Sequence, residues 1–231
     1  EWYDAELETR LLRRSTLEQD LPGAVERGDI DISYQPIVEL SGRRVAGVEA
    51  LPSWRHPVLG AVPAAELLPL AEDLGLLARL EHSVLHRSCR LLAGWRRTDG
   101  ALWLAVDVRP RTLVDPAFQA GLQTALETHD LPPSALVVEI AEHHLQNATG
   151  EEHQPALDDV AVQLGRLRAQ GVRTAVDHFG TGPTSLSRLR ILPIDLLKIA
   201  GVDMSDPASV ETALSTFDEL VKKYLELTKK A

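Results

Sequence analysis

Cysteine is nearly absent from this 231-residue chain: the only one is Cys89, within the apolar run VLHRSCRLLAGW. A single thiol excludes an internal disulfide framework and fits a reducing compartment, and its apolar neighbours suit a buried structural thiol. Long apolar runs are missing as well. No stretch approaches the roughly 20 uncharged apolar residues of a membrane span, and the opening EWYDAELETR does not have the form of a signal peptide. The stretch is therefore expected to make no membrane contact and to lie in the cytoplasm, as the cytosolic part of a larger multidomain protein. Positive charge is in deficit: 24 basic against 34 acidic residues give −10 at pH 7. That balance argues against nucleic acid as a partner, while leaving room for a local basic pocket.

What is present is an apolar content of 44%, enough at this length to bury a sizeable core, and one main domain is expected. Residues 4 to 28 place Leu7, Leu11, Leu17, Leu21 and Val25 at helical spacing among charges, until Gly28-Asp29 ends the pattern. Two β-rich runs follow, ISYQPIVEL and RRVAGVEALPSW, joined by a turn at Ser41-Gly42 and so expected to pair antiparallel. Beyond them helices alternate with strands. Helices at about 64 to 75 and 79 to 97 lead to LWLAVDV, one at about 115 to 128 leads to LVVEIAE, and one at about 154 to 170 leads to VRTAVDHF. A short helix near 184 to 191 then leads to LLKIAG. Such alternation predicts a mostly parallel α/β sheet, either doubly wound or curled into a barrel.

The polar residues inside these strands favour the barrel. Glu49 lies in VAGVEAL, Asp107 in LWLAVDV, Glu139 and Glu142 in LVVEIAE, Asp177 in TAVDHF and Lys198 in LLKIA, each toward the C-terminal end of its strand. That end of a barrel gathers side chains from several strands, and converging carboxylates need protons or a hard divalent cation to offset their repulsion.

Glu49-Ala50-Leu51, preceded by Tyr34-Gln35-Pro36-Ile37 and followed by Trp54-Arg55-His56-Pro57, then EIAE, DHFGTGPTSL, LRILP and LLKIA, resembles the EAL domain, the cyclic di-GMP phosphodiesterase of bacterial signalling. The likeness runs from about residue 17 to 204, and the opening segment resembles the connector between a diguanylate cyclase domain and an EAL domain. It implies an EAL-type TIM-like (β/α) barrel with one antiparallel strand near the start, and a two-metal mechanism using Mg²⁺ or Mn²⁺. By position, Glu49, Asp107, Glu139 and Asp177 would hold the first ion, Glu142 would support that shell, and Lys198 would position the attacking water. Gln35, Glu49, Leu51 and the residue at Ser53 would face the dinucleotide.

Departures from the family pattern are concentrated at the site. His178 stands where the family has a second aspartate, Ala200 where it has an aspartate after the lysine, and Asp107 where it has asparagine. His178 brings a neutral nitrogen in place of a charge and makes a weak ligand at best. Ser53 replaces an arginine that the family offers to phosphate, a hydroxyl in place of a charge-assisted contact. After Met204 the family's AEGVE and QGY strands have no counterpart, and six strand-like segments stand where the barrel needs eight, so a modified or incomplete barrel is expected. The reading that follows is a degenerate EAL domain, with Lys198 and Glu142 as vestigial catalytic groups, a residual Mg²⁺ or Mn²⁺ site and weak binding of cyclic di-GMP. Its expected roles are receptor or docking module for another signalling protein, in a homodimer. Two alternatives stand beside it: an active phosphodiesterase represented by an incomplete chain, and a structural dimerisation unit that binds no nucleotide.

The expected divisions are a linker helix over residues 1–28, the degenerate domain over 29–204 and an amphipathic tail helix within 205–231, from about Pro207 to Lys229. Asp206 and Pro207 suit its N-terminus, and Val210, Leu214, Phe217, Val221 and Tyr224 form its apolar stripe. Weaker motifs carry less. Gly180-Thr181-Gly182 lacks the Gly-Lys-Ser ending of a phosphate loop, His82 and His86 have i, i+4 spacing without a metalloprotease glutamate, and His143-His144 are expected on a loop.

Overall fold

Strands and helices alternate after an initial hairpin in the computed structural model, which describes residues 2–39, 43–146, 155–179 and 190–200, with Ser215. The chain divides into two compact units, one of Glu1–Val106 with Pro116–Pro132 and one of Asp107–Asp115 with Pro133–Ala231.

In the first unit, helix α1 (Trp2–Arg27) buries Leu17, Leu21 and Ala24 at i, i+4, i+7 spacing and leaves Leu7, Leu11 and Leu12 exposed. Gly28, at φ 75°, takes the left-handed conformation that stops the helix. Strand β1 (Ile30–Glu39) pairs antiparallel with β2 (Arg44–His56), as the sequence predicts. A short strand missed by the sequence pattern, β3 (Gly60–Val62), folds back on the end of β2 through the turn in WRHPVLG. Helices α2 (Ala64–Asp73) and α3 (Leu77–Trp95) lead to β4 (Trp103–Asp107), which runs parallel to β2, and α5 (Pro116–Thr128) packs on α3. Helix α3 buries Leu77, Leu80, Val84, Leu85, Ser88, Cys89 and Leu92, the inward stripe its spacing predicts.

Asp20 and His56 fasten α1 to the β2–β3 corner. The His56 ring is buried, its Nε2 lies 2.9 Å from Asp20, and its Nδ1 accepts the backbone N–H groups of Val58 and Leu59. Arg13 adds a fork of 2.8 and 2.9 Å bonds to Glu66 on α2.

The second unit holds α4 (Pro110–Leu113), a 3₁₀ turn (Pro133–Ala135), β5 (Leu136–Ala141), α6 (Glu142–Gln146), α7 (Leu157–Ala169), β6 (Arg173–Phe179) and β7 (Leu196–Ile199). Its strands lie in the order β5-β6-β7 and are parallel. Leu136 to Ile140 are buried without alternation, the pattern of a strand covered on both faces. Helices α4 and α6 were not legible in the hydrophobic spacing because each is too short to show a period. His143 and His144 accordingly lie on α6, not on a loop, and Glu142 is its first residue, not the end of β5. Seven strands lie among the described residues where the sequence suggests six, β3 being the addition. The Ser41-Gly42 turn, Gly180-Thr181-Gly182 and most of the 184 to 191 segment lie outside the described residues. So does the tail helix expected from Pro207 to Lys229, apart from Ser215.

Candidate functional site

Two of the expected acids meet inside the second unit. Glu139 on β5 is fully buried and Asp177 on β6 nearly so, with Ala141 and Asp177 as register partners. Their carboxylates each bring an oxygen within 4.8 Å of the other. Lys198 on β7 reaches between them: Nζ lies 2.7 Å from Glu139 Oε2 and 3.5 Å from Asp177 Oδ1. Two carboxylates that would repel each other in a low-dielectric interior are thus held together by one ammonium.

A β-bulge brings the lysine there. Pairing between β6 and β7 runs Val176 to Leu197 and then Phe179 to Ile199, so Asp177 and His178 together oppose the single residue Lys198. A bulge of this kind re-aims side chains and is a recurrent feature beside functional sites. His178 takes a left-handed backbone, φ 54°, which folds it back on its neighbour. Its backbone N–H donates to Asp177 Oδ1 and its ring Nδ1 lies 2.7 Å from Oδ2, so His178 grips the carboxylate beside it. No sequence signal short of strand pairing would have shown this.

Asp107 ends β4, half-buried, and the next residue, Val108, donates its N–H to the Glu139 carbonyl at 2.9 Å. Asp107 is therefore brought to β5, while Glu142 is buried at the start of α6. Arg109 was not anticipated. Its Nη1 donates to His144 Nδ1 at 3.1 Å, and the His143 and His144 rings lie 3.8 Å apart. Burial, followed by the fields of Arg109 and His143, pushes His144 down to about 3, so its ring is neutral and accepts from the guanidinium. His143 is also lowered, chiefly by burial, then by Arg109 and His178.

The residues expected to face a dinucleotide lie in the first unit. Alternation along β2 buries Val48, Ala50, Pro52 and Trp54 and turns Glu49, Leu51 and Ser53 to the opposite face. Gln35 on β1 is the register partner of Glu49, and Ala105 on β4 is its partner on the other side. Asp31, overlooked in the sequence, is the register partner of Ser53.

Oxygen donors alone, as in Glu139 and Asp177, suit a hard cation such as Mg²⁺ or Mn²⁺. Lys198 already supplies one positive charge to this pair, so the donor chemistry fits a divalent ion and its affinity is reduced by the resident ammonium. Ala200 offers no side-chain donor, and its backbone N–H bonds to the Phe179 carbonyl at 3.2 Å.

No helix among the described residues is long and apolar enough to cross a membrane. Solved structures share the fold. A MucR phosphodiesterase in complex with c-di-GMP superposes with TM-score 0.74 at 30% identity, over 90% of this chain and 83% of that one. The FimX EAL domain from Pseudomonas aeruginosa bound to c-di-GMP gives 0.69 at 25% identity, over 88% and 80%. These neighbours are EAL domains of the TIM-like (β/α) barrel class, the fold class expected here.

An uncharacterized signalling protein of Caulobacter vibrioides is 36% identical over 86% of this chain and 23% of its own length. The bifunctional diguanylate cyclase/cyclic di-GMP phosphodiesterase MucR of Pseudomonas aeruginosa is 32% identical over 86% and 28%. A cyclic di-GMP phosphodiesterase of the same organism is 36% identical over 85% and 32%. The chain thus spans about a quarter to a third of these relatives. The family model for the EAL domain matches residues 18–223, and on that match the chain belongs to the EAL-domain family, which includes cyclic di-GMP phosphodiesterases.

Proposed function

We propose that this EAL domain serves cyclic di-GMP signalling as a receptor or docking module in which hydrolysis is weak or lost. The observation behind this reading is His178, which stands where the family has a second aspartate and turns its ring Nδ1 onto Asp177 Oδ2 at 2.7 Å, with Ala200 offering no side-chain donor nearby. One Mg²⁺ or Mn²⁺ is assigned to Glu139 and Asp177, with Asp107 and, by the family pattern, Glu49 as further ligands and His178 as a weak one. When bound, the ion supplies Lewis acidity and an activated water. The protein's own groups act around it: Lys198 draws the two carboxylates together, and Glu142 is assigned a supporting role from the base of α6. Gln35, Glu49, Leu51 and Ser53 are assigned to the dinucleotide. At Ser53 the phosphate meets a hydroxyl in place of a guanidinium, which weakens binding and positioning together.

In this reading residues 1–28 form a linker, 29–204 the domain and 205–231 an amphipathic helix. Its partners are a second copy of the chain and another signalling protein in the cytoplasm. Identity of 36% to a cyclic di-GMP phosphodiesterase favours a second reading, an active enzyme. Chromatographic assay of cyclic di-GMP with Mg²⁺ or Mn²⁺, paired with calorimetry, separates them. The proposal expects weak binding without turnover. Metal-dependent linear product that disappears in Glu139→Gln would establish the enzyme instead, and no heat of binding at all would leave a structural unit.

A further inference from the structure

Helix α1 is docked in two different ways along its length. Its downstream half buries Leu17, Leu21 and Ala24, whereas every residue from Leu7 to Thr16 is exposed or half-buried. Charged side chains hold that upstream half in place of an apolar stripe. Arg14 pairs with Asp73 at 2.7 Å, and Arg13 makes its fork to Glu66 on the first turn of α2. Arg13 also reaches the β2–β3 turn, where it donates to the Leu59 carbonyl at 3.3 Å and to that of Ala61 at 3.5 Å. Asp20 stands two helical turns further along the same face and takes the other side of this turn. The His56 Nδ1 accepts from the Val58 and Leu59 N–H groups, so Nε2 carries the ring proton and donates to Asp20. Pro57 to Ala61 are themselves exposed or half-buried, which leaves their order to these polar contacts and to the short β2–β3 pairing.

We propose that residues 7–16 of α1 form a releasable strap: docked, it orders the β2–β3 turn through Arg13, and its release loosens that turn and the end of β2. A segment without buried apolar contacts opens at low cost, while Leu17, Leu21 and Ala24 keep the rest of the helix in place. The turn would then be pinned on the Asp20 side and free on the Arg13 side. From there the change is passed on by packing. His56 meets the buried Trp54 ring edge-on, with centroids 4.8 Å apart at 74°, and Trp54 follows Ser53 directly on β2. Displacement of α1 is thus felt on the strand that carries Glu49, Leu51 and Ser53. The effect on ligand, a lower affinity when the strap is open, rests on the assignment of those residues to the dinucleotide.

Amide hydrogen exchange of the full chain at neutral pH, read by mass spectrometry, tests the strap without ligand. Arg13→Gln should speed exchange at least about tenfold in residues 7–16 and in 57–62, with 136–141 in β5 unchanged. Arg14→Glu is the decisive variant, because Arg14 bonds to Glu18 and Asp73 and not to the turn. By turning the Asp73 pair repulsive it should open the strap and raise exchange in 57–62 by about threefold, a range set by exposed ion pairs. Opening of 7–16 in Arg14→Glu with 57–62 unchanged would overturn the proposal. So would parent rates throughout Arg13→Gln, or a rise in β5 to match, which would mean global loosening. Calorimetry with cyclic di-GMP then reads the link to ligand, and equal affinities in the parent and Arg13→Gln would break it. No heat in the parent chain would sink the dinucleotide assignment instead, while exchange alone decides the strap.

Discussion

Asp31 faces Ser53 across the β1–β2 pair, so the position where the family presents an arginine to phosphate has an acid as its cross-strand neighbour. Restoring the arginine alone would let it pair with Asp31. We expect Ser53→Arg to tighten cyclic di-GMP binding less than Ser53→Arg with Asp31→Asn, and the double variant to gain roughly 1 to 3 kcal/mol from a charge-assisted contact. Calorimetry giving equal affinities for the two would show that Asp31 does not intercept the guanidinium. His144 makes a second prediction. Its folded pKa is held down to about 3, against 6.5 ordinarily, by burial and then Arg109, so the unfolded chain takes up a proton before the folded one does. Its contribution therefore favours unfolding as pH falls from about 6.5 toward about 3 and vanishes above that window. Urea melts across that range should show a shallower acid loss in His144→Gln than in the parent, and parallel slopes would refute the assignment. Cys89 is pushed up to about 12 by burial, so thiol reagents at neutral pH should label it only on unfolding.

Pairing of whole elements depends on a few small residues. Gly47 on β2 is the register partner of Trp103 on β4, and a Cβ at Gly47 would enter the indole ring. Gly47→Ala should therefore destabilise the fold by about 1 to 3 kcal/mol through overpacking. Gly94, inside α3, is the control: a Cβ there meets only Arg97 Nη2 at 3.7 Å. Gly94→Ala should be neutral or stabilising by up to about 1 kcal/mol, as helix propensity dictates. Equal denaturation midpoints for the two would show that the indole gives way and that the close approach of β2 and β4 is not demanding. The β6–β7 bulge is the comparable device at the site. Without it, His178 and Lys198 would fall out of their present register and the ammonium would not reach both carboxylates.

For the molecule as a whole, a cation that binds only the folded chain adds to stability by mass action. At about one hundred times its dissociation constant, Mn²⁺ should contribute roughly 2.7 kcal/mol, which for a domain near 200 residues raises the melting temperature by several degrees. Asp177→Asn should remove that increment. A manganese-dependent shift that persists in the variant would place the ion elsewhere. Because Lys198 competes for the same oxygens, Lys198→Met should enlarge the shift, provided the variant folds in the absence of metal.

The sequence by itself determined the α/β class, the antiparallel first hairpin, the later strands and the EAL family. These follow from local alternation, helical spacing and an ordered set of motifs, all of which are written in neighbouring residues. It also named Glu139, Asp177 and Lys198 as site residues, since charges inside apolar strands are conspicuous. Tertiary structure alone decided how those charges are partnered. The opposition of Asp177 and His178 to Lys198, the acid across from Ser53, the Arg109–His144 contact and the meeting of His82 with Gly121 join residues whose separations in the chain carry no period. Register and bulges set those contacts through backbone hydrogen bonding, and side-chain type does not encode which residue will lie opposite.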